Sequence, residues 1–293
     1  MNNNLCPVCE RKVRCKNGIC SVAGSDGFPV MCVGKWTEEK HHYIDSYLNI
    51  FFKAMAKKWH GNLYYIDLFC GPGRSRNRDS GIEIDGSPLI ALKFGFCKYI
   101  FVDKNLDNIK SLKSRCLNRA GSNNSEFIYG DCNERIKEVI NYIPGNSLSV
   151  TLVDPFGLNF NFESYIQLTK DRHMDLIIIF PLGMAIKRTM NKSEKAKQKV
   201  DLFLGGNEWR TLIRDKPVSA YGRTIIDYFK QNLTKIGYQI PKELSAGENI
   251  IVKNNSNIPL YHLLFVSKNQ LGTSFWNKIS QYKPNGQLSI FGP

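Results

Sequence analysis

The sequence lacks any run of 18 or more apolar residues, the length that a membrane-spanning helix needs. Its opening stretch, MNNNLCPVCERKVRCK, is polar and lacks the apolar centre of a signal peptide. Internal repeats and low-complexity segments are lacking as well. These absences argue against a membrane or secreted protein, so we expect a cytoplasmic protein with no membrane partner.

Acidic residues are scarce relative to basic ones. The 293-residue chain has 40 Lys and Arg against 26 Asp and Glu, which gives a formal net charge of +14. This excess favours a polyanionic partner, and we expect contact with nucleic acid; a basic surface that only aids solubility is the alternative. Hydrophobic residues make up 42% of the chain, enough to bury the core of one large α/β domain or two smaller ones.

Cysteines are unevenly spread, and five of the nine lie in the first 32 residues. Cys6, Cys9, Cys15 and Cys20 place four thiolates in a short segment, which in a cytosolic chain indicates a metal site before disulfides. We predict a structural Zn2+ held by these four residues, with Cys32 able to replace Cys15 or Cys20. An iron–sulfur cluster and unmetallated thiols remain alternatives.

Apolar strands alternate with helical patterns through most of the chain. Predicted strands cover residues 63–69, 98–103, 126–131, 147–154, 174–181, 248–254 and 259–267. This alternation indicates a mostly parallel sheet covered by helices on both faces, with the last two strands pairing as a hairpin at its edge. We therefore predict a Cys-rich module at 1–35 and an α/β domain at 36–293, with a basic helical insertion at about 183–215.

Acidic and glycine residues follow the predicted parallel strands, at the sheet edge where such folds bind ligands. They are Asp67, Phe69, Gly71 and Gly73 after the first strand, Asp103 after the second, Asp131 and Cys132 after the third, and Asp154, Pro155, Phe156 and Gly157 after the fourth. An acid after the second strand can accept hydrogen bonds from a ribose diol, and glycines after the first allow close approach to a ligand.

The glycine turn only partly meets the dinucleotide pattern G-x-G-x-x-G, because Arg76 replaces the third glycine. Some 13 residues separate Gly73 from Ser87, where the next helix begins, so a pyrophosphate resting on that helix is disfavoured. An adenosyl ligand without phosphates fits better. The alternatives are a nucleotide-binding oxidoreductase and a purely structural interpretation, in which Asp67 and Asp154 cap turns and Phe156 belongs to the core.

Several motifs resemble those of S-adenosylmethionine-dependent methyltransferases. DLFCGPG resembles their first motif, FVD and YGD the second and third, and DPFG the fourth motif of enzymes that methylate exocyclic amines of nucleobases, notably tRNA guanine-N2 methyltransferases. Fragments from VGKWTEEKH to NGQLSIF, about Val33 to Phe291, resemble in order the three-Cys-motif partner (TcmP) family. This resemblance implies a Rossmann-like class I methyltransferase fold and a cognate three-Cys-motif protein as partner, with the N-terminal cysteines as an addition.

The resemblance also implies residue roles. The methionine end of the S-adenosylmethionine site would be shaped by Asp67, Phe69, Gly71 and Gly73. Asp103 would hold the ribose, and Asp131, with Cys132 beside it, would face the adenine. Asp154 and the carbonyl of Pro155 would accept hydrogen bonds from a target amine, and Phe156 would stack on the base. Cytosine-5 methyltransferases carry their nucleophilic cysteine in a Pro-Cys turn after the fourth strand, where this sequence has Pro155 and Phe156. Cys70 is therefore expected to be a small packing residue and not a nucleophile.

Basic residues border this predicted site. Arg74, Arg76 and Arg78 lie in the long loop after the glycine turn, and Lys187 and Arg188 follow the fifth strand. We expect these five to contact a nucleic-acid backbone, with a solvated helix face as the alternative for the last two. The predicted function is thus an N-methyltransferase acting on DNA or RNA. The alternative is a non-catalytic or partner-dependent binding subunit with the same fold.

Overall fold

The computed structural model describes residues 15, 18–117, 119–190, 192–239, 250–253 and 257–282. Within them the strands are β1 (Met31–Val33), β2 (Leu63–Asp67), β3 (Arg74–Asn77), β4 (Glu83–Asp85), β5 (Lys98–Asp103), β6 (Ser125–Tyr129), β7 (Leu148–Val153), β8 (His173–Phe180), β9 (Ile250–Lys253) and β10 (Pro259–Val266). The helices are α1 (Trp36–Met55), α2 (Ser87–Ala91), α3 (Leu106–Cys116), α4 (Cys132–Asn141), α5 (Phe162–Thr169), α6 (Lys187–Thr189), α7 (Glu194–Leu204), α8 (Trp209–Leu212), α9 (Val218–Lys235) and α10 (Gln270–Ser280).

Seven strands form one sheet in the order β6-β5-β2-β7-β8-β10-β9. The five strands from β6 to β8 in that order pair in parallel, whereas β10 runs antiparallel to both β8 and β9. This confirms the predicted α/β fold with a mostly parallel sheet and a C-terminal antiparallel hairpin. Because β6, β5, β2 and β7 are consecutive parallel neighbours, the loops that follow these four strands leave the sheet side by side.

Helices cover both faces of this sheet. Successive strand side chains point to opposite faces, so Tyr64 and Ile66 enter one hydrophobic core while Leu63 and Tyr65 enter the other. The first core is completed by α4, α5, α7, α8 and α9, and the second by α1, α2, α3 and α10. In the described part of the chain, no helix is both long and apolar enough to span a membrane.

A second, three-stranded sheet joins the start of the described chain to the long loop after β2. Its order is β1-β3-β4, with β1 parallel to β3 and β4 antiparallel to it. The strand pattern did not predict this sheet, because β3 has the polar sequence RSRN and no alternating apolar residues.

Arg115 of α3 fastens residues 18–33, here called the N-terminal segment, to the α/β domain. Its Nε and Nη2 each donate to the Asp26 carboxylate at 2.8 Å, and its Nη1 donates to the carbonyl oxygens of Pro29 and Pro72 at 2.8 and 2.6 Å. The hydrogen bond from Arg115 is the main cause that lowers the pKa of Asp26 to about 2. Pro72 belongs to the glycine turn, so Arg115 links that turn directly to the N-terminal segment.

Candidate functional site

The four acids predicted from the strand ends lie along one edge of the large sheet. Asp67 ends β2, Asp103 ends β5, Asp131 follows β6 and Asp154 follows β7. These four strands are consecutive neighbours in the sheet and run in parallel. The structure therefore brings the predicted residues together at the carboxyl edge, where open α/β sheets bind ligands.

The glycine turn after β2 needs glycine for two different reasons. Gly71 and Gly73 have φ values of 59° and 84°, a left-handed backbone that side chains rarely adopt. A Cβ on Gly73 would lie 2.6 Å from Leu112 Cδ1, so that glycine lets the turn pack against α3. Among the described residues, a Cβ on Gly71 would meet Met31 at 3.7 Å and nothing closer, so no described residue packs tightly against this part of the turn. Such a loosely covered backbone suits a ligand that approaches the main chain closely.

Asp103 is joined to this turn by a backbone hydrogen bond. The N–H of Gly71 donates to Asp103 Oδ2 at 2.9 Å, while the N–H of Asn105 and the side chain of Asn108 donate to Oδ1 at 2.7 and 3.1 Å. Burial raises the pKa of the Asp103 carboxyl against the opposing effect of these donors. The carboxylate is thus held in a fixed orientation next to the open face of the glycine turn.

Asp67 is fully buried and supports the turn from beneath. Its carboxylate accepts hydrogen bonds from Ser87 Oγ at 2.7 Å and from the N–H of Phe69 at 3.2 Å. Ser87 begins α2, so Asp67 connects the end of β2 to that helix. Burial raises the pKa of Asp67 to about 7. The buried Asp67 side chain therefore fixes the backbone at the start of the predicted cofactor turn and does not face the ligand space itself.

Asp131 caps α4, accepting a hydrogen bond from the N–H of Asn133 at 2.9 Å. Asn133 in turn contacts the loop after β7, donating to the carbonyl of Asn159 and accepting from the N–H of Asn161. Cys132 is buried in the hydrophobic core, and burial raises the pKa of its thiol to about 12. Its side chain is therefore removed from the predicted adenine contact, whereas Asp131 stays half-buried at the edge.

The DPFG turn exposes an aromatic ring beside a carboxylate. Phe156 is 68% exposed although it is a large apolar residue, while Pro155 is buried and Asp154 half-buried. Asn159 donates to the carbonyl of Phe156 at 2.6 Å, which holds the backbone while the ring faces outward. The expectation of Phe156 as a core residue is therefore wrong. An exposed ring on a fixed backbone is suited to stacking against a planar group.

Lys40 is a site residue that the sequence analysis missed. It lies on α1, and its Nζ donates to Asp154 Oδ2 at 2.5 Å. Lys40 and Asp154 are 114 positions apart in the chain, and no local spacing relates them. The fragment VGKWTEEKH contributed to the family resemblance, but the contact depends on how α1 packs over the sheet.

The N-terminal segment forms a wall of the site. Besides facing Gly71, the Met31 side chain lies 3.0 Å from the position of a Cβ on Gly18, and the Phe156 ring lies 3.6 Å from the same position. Gly18, Met31 and Phe156 are therefore neighbours above the glycine turn. The segment reaches from the predicted cofactor turn to the predicted substrate turn.

The five predicted nucleic-acid residues divide into two groups. Arg76 is only 6% exposed and donates to the carbonyl oxygens of Val22 and Ala23 and to Glu83, so the prediction that it contacts phosphate is wrong. Arg74 faces acidic partners as well, including Asp26 at 3.3 Å. Both arginines hold the N-terminal segment. The guanidinium of Arg78 lies 4.5 Å from the ring centroid of Trp36, and Lys187 and Arg188 are exposed.

The cysteine predictions have separate outcomes. Cys70 is buried, and burial raises the pKa of its thiol well above the ordinary value, in keeping with the predicted packing role. Cys6 and Cys9 lie outside the described residues. Cys15 and Cys20 belong to one small buried cluster with Cys32 beside it, and Cys20 Sγ accepts a hydrogen bond from Arg76. Across the described ranges, no group of three or more His, Cys, Asp and Glu is arranged to hold a metal ion.

No protein-family model and no curated protein matches the chain. Solved structures that resemble it include the O-methyltransferase TomG from Streptomyces achromogenes in complex with SAM, with 9% identity, coverage of 76% of this chain and 77% of that one, and a TM-score of 0.42. Another is Trm1 from Pyrococcus horikoshii with S-adenosyl-L-methionine, with 13% identity, coverage of 82% and 59%, and a TM-score of 0.44. The chain thus spans less than two thirds of the Trm1 structure. Nothing among these comparisons confirms the three-Cys-motif partner family.

Proposed function

We propose that the protein is an S-adenosylmethionine-dependent methyltransferase that acts on an exocyclic amine of a nucleobase in DNA or RNA. The observation that carries this proposal is the exposed ring of Phe156 beside the carboxylate of Asp154, on the same sheet edge as the glycine turn and Asp103. A purely structural loop would gain more free energy by burying that ring than by exposing it.

The proposed cofactor contacts follow from the strand ends. Among the described residues, only Met31 approaches the Cβ position of Gly71, at 3.7 Å, and Asp103 presents a fixed carboxylate next to this turn, which suits a ribose diol. Asp131 lies at the end of the neighbouring strand β6, where it would face the adenine amine. When bound, S-adenosylmethionine supplies an electrophilic methyl group.

The proposed catalysis is mainly positioning. Phe156 stacks on the target base, while the Asp154 carboxylate and the Pro155 carbonyl accept hydrogen bonds from its amine. These acceptors would direct the nitrogen lone pair toward the methyl carbon; as the nitrogen gained the methyl group, the methyl–sulfur bond would break to leave S-adenosylhomocysteine, and the nitrogen would then lose one proton to water. Bringing the reactants together in this orientation supplies most of the rate acceleration, and no strong acid or base is needed.

A nucleic-acid substrate agrees with the charge of the chain. The formal charge is +14, and the exposed residues Lys187 and Arg188 follow β8 at the same edge of the sheet. We propose that these two residues and Arg78, whose guanidinium lies over the Trp36 ring, contact phosphates. Whether a cognate three-Cys-motif protein takes part is a prediction of the family resemblance alone.

Binding of the cofactor and transfer of the methyl group test this proposal separately. Titration calorimetry with S-adenosylmethionine should give saturable binding that Asp103→Ala abolishes, because the ribose loses its acceptor. Transfer of labelled methyl groups to total RNA and total DNA should then be detected with the wild type. Phe156→Ala should bind the cofactor normally and lose transfer, since stacking on an aromatic ring contributes roughly 1–3 kcal/mol per base.

The alternative is a non-catalytic subunit with this fold. Cofactor binding without transfer to either nucleic acid would favour it, and absence of cofactor binding in protein with its full metal content would exclude the methyltransferase. The predicted Zn2+ enters no catalytic step. It stays a prediction for the N-terminal cysteines, which metal analysis of the purified full chain tests.

A further inference from the structure

Lys40 reaches the predicted substrate turn from outside the parallel sheet. It lies near the start of α1, whose buried residues, among them Tyr43, Tyr47 and Phe51, pack on the face of the sheet opposite α4 and α5. This packing places the second turn of the helix at the carboxyl end of β7. The lysine therefore meets Asp154 at the site, although it lies outside the four motifs that follow the strands of the sheet.

The contact between Lys40 and Asp154 differs from an ordinary surface ion pair. The Nζ–Oδ2 distance is 2.5 Å, and the two side chains are only 13% and 26% exposed. One exposed lysine pair is looser: Lys93 lies 3.3 Å from Asp45, with side chains 53% and 44% exposed. A close, half-buried ion pair restricts the motion of both side chains, whereas an exposed ion pair contributes little to stability.

The charges of this pair also affect other titratable groups. Burial is the main cause that raises the pKa of Asp67 to about 7; the charge of Asp154 raises it as well, and the charge of Lys40 lowers it. Tyr261 of β10 is buried, and the pKa of its phenol is raised by burial and then by the charges of Asp154 and Glu39. The charge of Lys40 therefore acts on Asp67 in the direction opposite to that of Asp154.

We propose that Lys40 is a positioning residue that fixes the Asp154 carboxylate through Oδ2 and leaves Oδ1 to receive one N–H of the target amine. This inference rests on the proposed function, because it gives the substrate turn its orientation. A free carboxylate can rotate and present either oxygen, whereas a carboxylate held at Oδ2 presents Oδ1 in one direction. The second N–H of the amine must then find a different acceptor, for which the Pro155 carbonyl is next along the chain.

Lys40→Gln tests this role in the full-length protein. With total RNA and total DNA as methyl acceptors, we expect kcat to fall on the order of 100-fold, the effect of a misplacement of about 1 Å in a reacting group. The affinity for S-adenosylmethionine, measured by calorimetry, should stay unchanged, because the glycine turn and Asp103 are untouched. Lys40→Arg should recover part of kcat, since it keeps a donor for Oδ2.

Lys53→Gln is the matched control, because Lys53 lies on the same helix with an exposed side chain. Wild-type kcat in Lys40→Gln would overturn the inference, and so would loss of cofactor binding in that variant. A wild type without any transfer would instead overturn the proposed function and this inference with it, so the two failures are distinguishable.

A double variant covers the case in which Lys40→Gln does not fold. Lys40→Gln combined with Asp154→Asn leaves no unpaired charge, so the cost of an uncompensated half-buried carboxylate is removed. If Lys40 acts through Asp154, the single-turnover rate of the double variant should match that of Asp154→Asn within about three-fold, because the two substitutions are not additive. A further large loss in the double variant would overturn the inference.

Discussion

Asp67 and Asp175 are carboxyl groups buried in the sheet, on β2 and β8. Burial raises the pKa of Asp67 to about 7 and that of Asp175 to about 6. In the unfolded chain an aspartate titrates near ~3.9. Between about pH 4 and pH 7 the folded protein therefore binds more protons than the unfolded chain, so the free energy of unfolding decreases as the pH rises through this window.

Asp67→Asn should reduce this pH dependence. The variant cannot ionise at this position, so the decrease in the free energy of unfolding between pH 5 and pH 8 should be smaller by up to about 3 kcal/mol, since about two pH units separate pH 5 from the folded pKa of about 7. Urea denaturation at the two pH values measures the difference. Asp45→Asn is the control, because Asp45 forms only an exposed ion pair and should leave the dependence as it is in the wild type. An equal dependence in Asp67→Asn and wild type would contradict the raised pKa.

The site residues that could be predicted from the sequence are those that directly follow a predicted strand. Asp103 and Asp154 lie where the alternating pattern placed them, because parallel strands bring their carboxyl ends to one edge. Lys40 could not be predicted in this way, since its contact depends on the angle at which α1 crosses the sheet. Cys132 was assigned to the adenine contact from its neighbour, but the first turn of α4 points its side chain into the core.

Among the elements, the N-terminal segment depends on charged hydrogen bonds for its attachment. Arg115 is only 9% exposed and joins Asp26 to the carbonyl of Pro72 in the glycine turn. Such an element has little apolar surface, and its cluster consists of Cys15, Cys20 and Val30 with Cys32 beside it. The arginines that the sequence analysis assigned to phosphate are therefore used inside the molecule. An arginine that binds a phosphate and an arginine that binds a carboxylate of its own chain cannot be distinguished by residue type alone.

Arg115→Ala should detach the N-terminal segment while the large sheet remains folded. Each lost hydrogen bond to a charged group contributes about 1.5–3 kcal/mol, so hydrogen exchange at residues 18–33 should become faster by at least about ten-fold. Mass spectrometry of the exchanging amides measures this effect. Arg135→Ala, which removes an exposed arginine from α4, should leave exchange in the segment unchanged. Unaltered protection in Arg115→Ala would show that other contacts hold the segment.

Over the whole molecule, the large sheet could be predicted and the small one could not. The apolar strands β2, β5, β7 and β8 predict a sheet buried on both faces, and the polar residues between β9 and β10 predict the hairpin. The small sheet is polar and pairs β1 with β3, which lies 41 or more residues further along the chain. The small sheet is therefore defined by contacts between residues that are distant in the sequence, which the local pattern does not predict.

The charge of the whole molecule should appear in the salt dependence of nucleic-acid binding. Each phosphate contact adds roughly 0.9 to the slope of log K against log salt for duplex DNA, so Lys187→Ala/Arg188→Ala should reduce the slope by about 2. Fluorescence anisotropy with a labelled duplex, at 50 to 200 mM salt, provides the measurement. Lys57→Ala/Lys58→Ala is the control, because these exposed residues precede β2 at the opposite edge of the sheet. Equal slopes for the two variants would remove Lys187 and Arg188 from the proposed surface.

The attachment of the N-terminal segment through α3 affects the order in which the protein folds during synthesis. Asp26 leaves the ribosome 89 residues before Arg115, an interval of roughly 4–18 s at ~5–20 residues per second. Arg74 and Arg76 are translated within that interval, but the link from the segment to Pro72 of the glycine turn requires Arg115. This link therefore forms only after α3 has been translated.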